Sequence, residues 1–241
     1  MELSPGLHRI GNDIVAAHLI VTDEGITLVD AALPGHYGDL QRELTALGRP
    51  LSDVKGIVLT HGDSDHIGFA ERLRTELGIP VFVGSGDAAR AQGEKPPSTP
   101  RDPRRLGPAI RFFAYAIRKG GLRMRPVQEV VPVNDGDVLP LPGAPVIVGM
   151  PGHSPGSVAI HAPAVKALFV GDELTTRNVL TGVTGVQPAP FTDDQAGSSA
   201  SLERIAGLDV DWIIPGHGPV WTQGAPALIG AYRAAEAARV R

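Results

Sequence analysis

Residues 56–68, Gly-Ile-Val-Leu-Thr-His-Gly-Asp-Ser-Asp-His-Ile-Gly, constrain this chain more than any other stretch. Ile57, Val58 and Leu59 make a short apolar, largely β-branched run, the pattern of a buried strand. Four metal-ligand side chains then fall within six positions: His61, Asp63, Asp65 and His66. Beyond them the spacing of Phe69, Leu73 and Leu77 predicts a helix over 67–77. The four donors therefore occupy the turn between a buried strand and a helix, where a rigid scaffold commonly carries function. Asp63, Ser64 or Asp65 would each also cap that helix. Two imidazoles and two carboxylates at this density are nevertheless the composition of a divalent-metal site.

The same arrangement recurs at three later strand ends. Val146–Met150 runs into Pro151-Gly152-His153, Ala167–Val170 into Gly171-Asp172, and Trp212–Ile214 into Pro215-Gly216-His217. Each is an apolar strand, then a glycine that lets backbones crowd one point, then a histidine or aspartate. If the four ends share one edge of the core, seven ligand-type side chains converge: His61, Asp63, Asp65, His66, His153, Asp172 and His217. His161 sits inside a strand pattern without such a break, and His8, His18 and His36 are read as structural on the same ground.

The remaining periodicity predicts strands over 7–10, 14–21 and 26–29, the last two joined at the turn signal Asp23-Glu24-Gly25, with Asp30 closing the third strand. A helix over 36–47 follows, and a strand over 81–83. Later strands are expected at 127–131, 137–141, 146–150, 157–161, 167–170 and 212–214, with helices over 195–206, introduced by Asp193 or Asp194, and 225–239. Two β-then-α halves of this kind point to two sheets packed face to face and covered by helices.

The 61–66 loop resembles the His-x-His-x-Asp-His signature of the metallo-β-lactamase superfamily, here in the variant His-x-Asp-x-Asp-His. The resemblance continues through Gly152-His153-Ser154-Pro155-Gly156-Ser157, Phe169-Val170-Gly171-Asp172, Pro215-Gly216-His217-Gly218 and the early Leu28-Val29-Asp30. It implies an α+β fold, a four-layer αβ/βα sandwich of two mixed β-sheets, with a dinuclear metal site at one edge. Carried across, His61, Asp63 and His153 hold one metal ion, Asp65, His66 and His217 the other, and Asp172 bridges them. Asp30 would orient a ligand. The signature has histidine where this chain has Asp63, which makes the site more nearly neutral. The implied cofactors are two divalent ions, Zn2+ first, with Mn2+ or Fe2+ admitted by the Asp63 carboxylate. The implied activity is hydrolysis of an ester, lactone or thioester carbonyl by a hydroxide held between the two ions, with Asp65 and Asp172 the catalytic carboxylates. Alternatives within the same resemblance are β-lactam hydrolysis, iron-dependent redox chemistry, and a non-catalytic metal-binding relative.

Composition narrows the remainder. The chain has no cysteine, so any metal must be held by histidine and carboxylate. No apolar run approaches the roughly 20 residues of a membrane span, and Met1-Glu2-Leu3-Ser4-Pro5 does not open a secretory signal, so a cytoplasmic location is expected. Net charge −4 argues against nucleic acid as a partner. We expect one domain over 1–241, interrupted by a basic and aromatic lid at about 94–126, where nine basic residues face two acidic ones. Its first part, with Pro96, Pro97, Pro100 and Pro103, reads as irregular. Residues 108–119 read as a helix with Ile110, Phe113 and Ile117 on one stripe and Phe112 and Tyr115 off it. Its aromatic residues and arginines suit a small-molecule substrate that is apolar or aromatic and carries an anionic group. The same helix leaves open a membrane-surface contact without stable insertion, or a homodimer contact.

Overall fold

The computed structural model describes residues 1–94 and 105–239. The proline-rich stretch read as irregular lies mostly within 95–104, outside the described residues. In chain order the elements are strands β1 (Glu2–Ser4), β2 (Leu7–Gly11), β3 (Ala16–Thr22) and β4 (Gly25–Val29), helix α1 (Tyr37–Ala46), β5 (Val54–Val58), helices α2 (Ser64–Ile67) and α3 (Ala70–Leu77), and β6 (Val81–Gly84). Helices α4 (Ala88–Ala91) and α5 (Leu106–Arg118) precede β7 (Val131–Val133), β8 (Val146–Gly149), β9 (Val158–Ala162), β10 (Ala167–Gly171), β11 (Thr175–Arg177) and β12 (Thr184–Gln187). Helix α6 (Gln195–Ser201), β13 (Trp212–Pro215) and α7 (Ala225–Arg239) complete the chain.

Strands β1 to β7 form one sheet in sequence order, antiparallel through β4 and parallel from β4 to β7. A second mixed sheet runs β13-β10-β9-β8, and β11 pairs with β12. Strand alternation sorts side chains into layers. Leu19, Leu28 and Ile57 point outward to meet Leu40 and Leu44 of α1 and Leu73 of α3. Their neighbours Ile20, Val29 and Val58 point inward, against Ile147, Ile160 and Phe169 of the second sheet. On the far side of that sheet Leu168, Val170 and Ile213 meet Leu228 and Tyr232 of α7. The result is the expected helix–sheet–sheet–helix sandwich with two mixed sheets. No helix among the described residues is long and apolar enough to cross a membrane.

Several expected boundaries move, for identifiable reasons. The helix predicted over 67–77 is two helices, because the backbone N–H groups of Gly68 and Phe69 bond to the carbonyls of Ala32 and Ala31 instead of continuing the helix. A Cβ at Gly68 would lie 2.2 Å from the Ala32 carbonyl oxygen, so only glycine lets these two loops meet. The strand expected at 14–21 starts at Ala16, since the Asn12 side chain takes the Ile14 N–H in a local turn. Residues 137–141 are not a strand: Val138 makes a single bridge to Val146, and Pro140 has no N–H to extend the ladder. The strand expected at 127–131 begins only at Val131, because Ala91 and Glu71 take the N–H groups of Val127 and Gln128. The last turn of the helix over 195–206 is 3-10, and Asp194 caps its start by accepting the Gly197 N–H.

The apolar stripe on α5 is not part of the core. Ile110, Phe113 and Ile117 are exposed, while Tyr115 is buried and Phe112 partly so. Polar pairs outweigh the stripe: Tyr115 Oη meets His36 Nε2 at 2.8 Å, the Lys119 carbonyl accepts the Gly35 N–H at 2.7 Å, and Lys119 reaches Asp39 at 2.7 Å.

Candidate metal centre

The four apolar strands end at one edge of the sandwich, and all seven predicted donors meet there. Their ligating atoms fall into three overlapping groups: His61, Asp63 and His153; Asp65, His66 and His217; and His61, His66 and Asp172. Strand β5 delivers the loop carrying His61 to His66, with α2 turning Asp65 and His66 inward. The loop after β8 places His153, the end of β10 places Asp172, and the end of β13 places His217. Crowding is severe. A Cβ at Gly216 would sit 2.2 Å from Asp172 Oδ1 and 2.7 Å from His66 Cε1.

All four imidazoles turn Nε2 toward the centre and anchor through Nδ1. His66 Nδ1 meets Asp30 Oδ2 at 2.9 Å, and His217 Nδ1 donates to the Ile14 carbonyl. His61 Nδ1 lies 3.1 Å from Thr60 Oγ1, and His153 Nδ1 lies 3.3 Å from Thr192 Oγ1. Both hydroxyls have a partner for their own proton, Asp30 for Thr60 and the Ala189 carbonyl for Thr192. They therefore accept from the rings. With Nδ1 donating, each ring in its neutral form offers the Nε2 lone pair inward, the tautomer a metal ligand needs.

Across the centre, Asp63 Oδ2 is 3.4 Å from His153 Nε2 and 3.6 Å from His61 Nε2. His217 Nε2 is 3.5 Å from Asp65 Oδ2 and 3.2 Å from Asp172 Oδ2, and His66 Nε2 is 3.6 Å from Asp172 Oδ1. Two ligands about 2.0–2.1 Å from one tetrahedral cation stand roughly 3.3–3.4 Å apart, so this spacing suits a shared ion. His61 Nε2, His66 Nε2 and Asp172 Oδ1 are buried without a hydrogen-bond partner. Orphaned acceptors of this kind are costly unless something cationic satisfies them. The donor set and the fold fit divalent metal ions.

Electrostatics follows the same geometry. Burial opposes charge on His66, but the carboxylates of Asp30, Asp172 and Asp65 override it and push its pKa up to about 10. His217 rises to about 9, again against burial, through Asp172 and Asp65. His61 falls well below the usual histidine range through burial and the neighbouring His66 and His153. Asp63 and Asp172 are held well below the carboxylate range despite burial, Asp63 by His153, His61 and Arg90, Asp172 by His217 and His66. Glu173, buried beside the centre, is pushed up to about 7 and accepts the His153 N–H at 3.1 Å.

Further side chains support the donors, and of these Asp87 and Arg90 have no signature in the sequence. Asp30, already flagged as a strand-end residue, takes a left-handed φ of 57° and accepts from Thr60 N–H at 2.8 Å as well as from His66. Asp87 is fully buried and accepts from Gly62 N–H, Ser154 Oγ and Gly156 N–H at 2.7, 2.7 and 2.8 Å. It thereby ties the 61–66 loop to the 152–156 loop. Arg90 reaches Asp63 and Asp193. The histidines read as structural stand with other partners: His8 meets Glu43 and His36 meets Tyr115.

A cavity of about 480 Å3 opens over the centre. Asp63, Asp65, His153, Asp172 and His217 line its floor, and Phe112, Phe113, Ile117, Leu122, Met124 and Phe191 line its walls. Phe112 stands edge-on to His217, ring centroids 6.3 Å apart.

Comparison with known proteins returns the same picture. A model described as the metallo-beta-lactamase superfamily matches residues 10–217. The chain is 25% identical over 230 residues to the probable metallo-hydrolase YflN of Bacillus subtilis, covering 90% of this chain and 85% of that one. It is 28% identical over 198 residues to the hydroxyacylglutathione hydrolase GloC of Haemophilus influenzae, covering 81% and 83%. The solved structure of a metallo-beta-lactamase family protein from Thermus thermophilus superimposes with a TM-score of 0.68 at 25% identity, covering 97% of this chain and 81% of that one.

Proposed function

The chain belongs to the metallo-beta-lactamase superfamily, and from that premise we propose that it hydrolyses an ester, lactone or thioester whose acyl part is apolar or aromatic and which also carries an anionic group. The observation that carries this reading is the convergence of seven donors, five of them on the floor of a largely apolar cavity. Two divalent ions held there, zinc first and manganese or iron(II) by virtue of Asp63, would acidify a water and polarise a carbonyl.

The chain's own residues supply the rest. His61, Asp63 and His153 are the donors on one side, Asp65, His66 and His217 those on the other, and Asp172 serves both. Asp65 faces the cavity, with Oδ2 3.5 Å from His217 Nε2. There it takes the proton of the attacking water and returns it to the leaving oxygen or sulfur as the acyl bond breaks. Phe112, Phe113 and Ile117 make α5 a lid that shields the acyl group from solvent. Beside the catalytic cavity, and sharing Phe112 and Val179 with it, lies a second cavity of about 500 Å3 lined by Arg105, Arg111 and Arg177. None of the three arginines has a carboxylate partner among the described residues, so this compartment suits the anionic end of the substrate. Hydroxyacylglutathione, named for the Haemophilus relative, shares the thioester and the anionic end of that description, though its acyl part carries a hydroxyl. A cytoplasmic site of action fits a cysteine-free chain with no membrane-spanning helix among the described residues.

Metal analysis of the purified protein, followed by a panel of lactone, thioester, aryl ester and β-lactam substrates, tests the reading. The expected result is about two equivalents of divalent metal and turnover of an anionic ester, lactone or thioester. Full turnover in Asp65→Ala would remove Asp65 from the mechanism. Metal-loaded protein inert toward the whole carbonyl panel would refute the hydrolytic reading.

A further inference from the structure

Asp63 replaces the histidine of the superfamily signature, and the structure shows what accompanies it. Arg90 lies on α4, four residues long, and its side chain is only 9% exposed. Its Nε donates to Asp63 Oδ1 at 2.5 Å, and its Nη1 donates to Asp193 Oδ2 at 2.8 Å. The two oxygens of Asp63 are thus divided. Oδ1 belongs to Arg90, and Oδ2 alone faces His153 and His61. Asp193 in turn donates its N–H to the His153 carbonyl at 3.0 Å, so the guanidinium links the two loops that carry all three donors on this side.

We propose that Arg90 is a positioning and charge-balancing residue for the Asp63 side of the metal centre, aiming one carboxylate oxygen inward and offsetting the negative charge that aspartate adds where histidine is neutral. The proposal rests on the metal-binding reading above, and its test reads metal uptake, not hydrolysis. A planar guanidinium suits the task. It fixes two carboxylates at once, stays charged at any working pH, and cannot itself compete for the ion.

Charge bookkeeping gives a result that simple restoration of the signature would not. Asp63, Arg90 and Asp193 together carry one negative charge. In Asp63→His the pair Arg90–Asp193 is left neutral, and a cation stands beside the ion position with one carboxylate fewer between them. That variant recreates the usual histidine ligand yet should bind metal more weakly on this side. Adding Arg90→Met returns the local charge to one negative and should recover the loss.

The experiment is calorimetric titration of chelator-stripped, full-length protein with Zn2+, with bound metal counted by elemental analysis. The four forms are wild type, Asp63→His, Arg90→Met and the double variant, and the other equivalent serves as an internal control. Asp63→His is expected to lose at least about tenfold in affinity for one equivalent only, with the double variant returning to within about threefold of wild type. Arg90→Met alone is expected to lower the melting temperature of the metal-free protein more than that of the loaded protein, because Asp63 and Asp193 then face each other unneutralised until an ion arrives. If Arg90→Met does not fold, Arg90→Lys combined with Asp63→His keeps the test alive: it retains the cation and should fail to rescue. Asp63→His binding both equivalents as tightly as wild type, or gaining nothing from loss of Arg90, would overturn the proposal alone. A wild-type protein that takes up no zinc overturns the metal-binding reading, and this inference falls with it.

Discussion

His66 and His217, on one side of Asp172, are anchored differently from His61 and His153 on the other. The first pair donates Nδ1–H to a carboxylate and a backbone carbonyl, Asp30 and Ile14. The second pair donates to hydroxyls, Thr60 and Thr192, which pass on their own protons. The carboxylates differ as well. Asp63 is gripped by Arg90, whereas Asp65 faces the imidazoles of His217 and His66. One side is therefore rigid in its imidazoles and the other rigid in its carboxylate. A metal centre can be pre-organised through either kind of ligand, and the two sides need not respond alike to the same perturbation.

Asp172 should make the largest difference, because it is common to both sides. Asp172→Ala is expected to cut bound metal below two equivalents and to lower kcat/KM by roughly a thousandfold or more. Loss of one ion with the other held at wild-type affinity would assign Asp172 to a single side and break the symmetry assumed for it. Asp30→Asn comes next. It keeps the shape of the side chain but offers His66 a weaker acceptor, and removal of such a partner lowers metal affinity about 10- to 100-fold. Competition titration with a chromophoric chelator should show this loss in one equivalent. An equal loss in both would mean that the two sides are one cooperative unit.

The sandwich was legible in the sequence because paired neighbours along each strand are buried on opposite faces. Leu19 and Ile20, Leu28 and Val29, Ile57 and Val58, and Leu168 and Phe169 each divide between two apolar layers. Burial of that kind writes itself as continuous apolar runs. The candidate donors were legible as four ligand-type side chains packed into the 61–66 loop and as glycine followed by His153, Asp172 or His217 at three later strand ends. Arg90 and Asp87 left no such trace. Both sit in a short stretch of small and polar residues, Ser85 to Arg90, that has no periodicity, and only the fold shows what they face. The stripe on α5 was legible as an apolar face, but its destination was not. Periodicity finds the apolar face of a helix, but it does not say whether that face meets the core or the mouth of a cavity.

The comparison also has a pH signature in metal-free protein. His66 and His217 are raised to about 10 and about 9, from an ordinary value of 6.5. Their protonated rings therefore stabilise the fold fully below about pH 6.5, and that contribution is lost as pH rises through 9 to 10. His61 is shifted the other way and contributes nothing of the kind over that interval. Asp63 and Asp172 have the opposite sign: lowered below 3.8, they stabilise the fold above that value and cease to as pH falls further. Differential scanning calorimetry of chelator-treated protein should show the melting temperature falling from pH 7 to pH 10, with a smaller fall in the loaded protein, where the ions take the place of the ring protons. Parallel curves for the two forms would mean that these rings are not where the metal-free protein stores its charge.

Thr192→Val should give the smallest effect and is the sharpest check on the contrast between the two sides. The substitution removes one acceptor, Oγ1 at 3.3 Å from His153 Nδ1, and leaves the shape of the side chain nearly unchanged. Thr192 is only half-buried, so water can occupy the place of the lost hydroxyl and accept the same N–H. The ring also keeps other restraints. It packs edge-on against His61 with centroids 4.7 Å apart, and its backbone N–H stays with Glu173. The expected loss is therefore about threefold in affinity for one equivalent, well short of that for Asp30→Asn. A loss as large as the Asp30 variant's would show that the hydroxyl anchors its imidazole as firmly as a carboxylate does, and the distinction between the two sides would reduce to the carboxylates, Asp63 with its arginine and Asp65 without one.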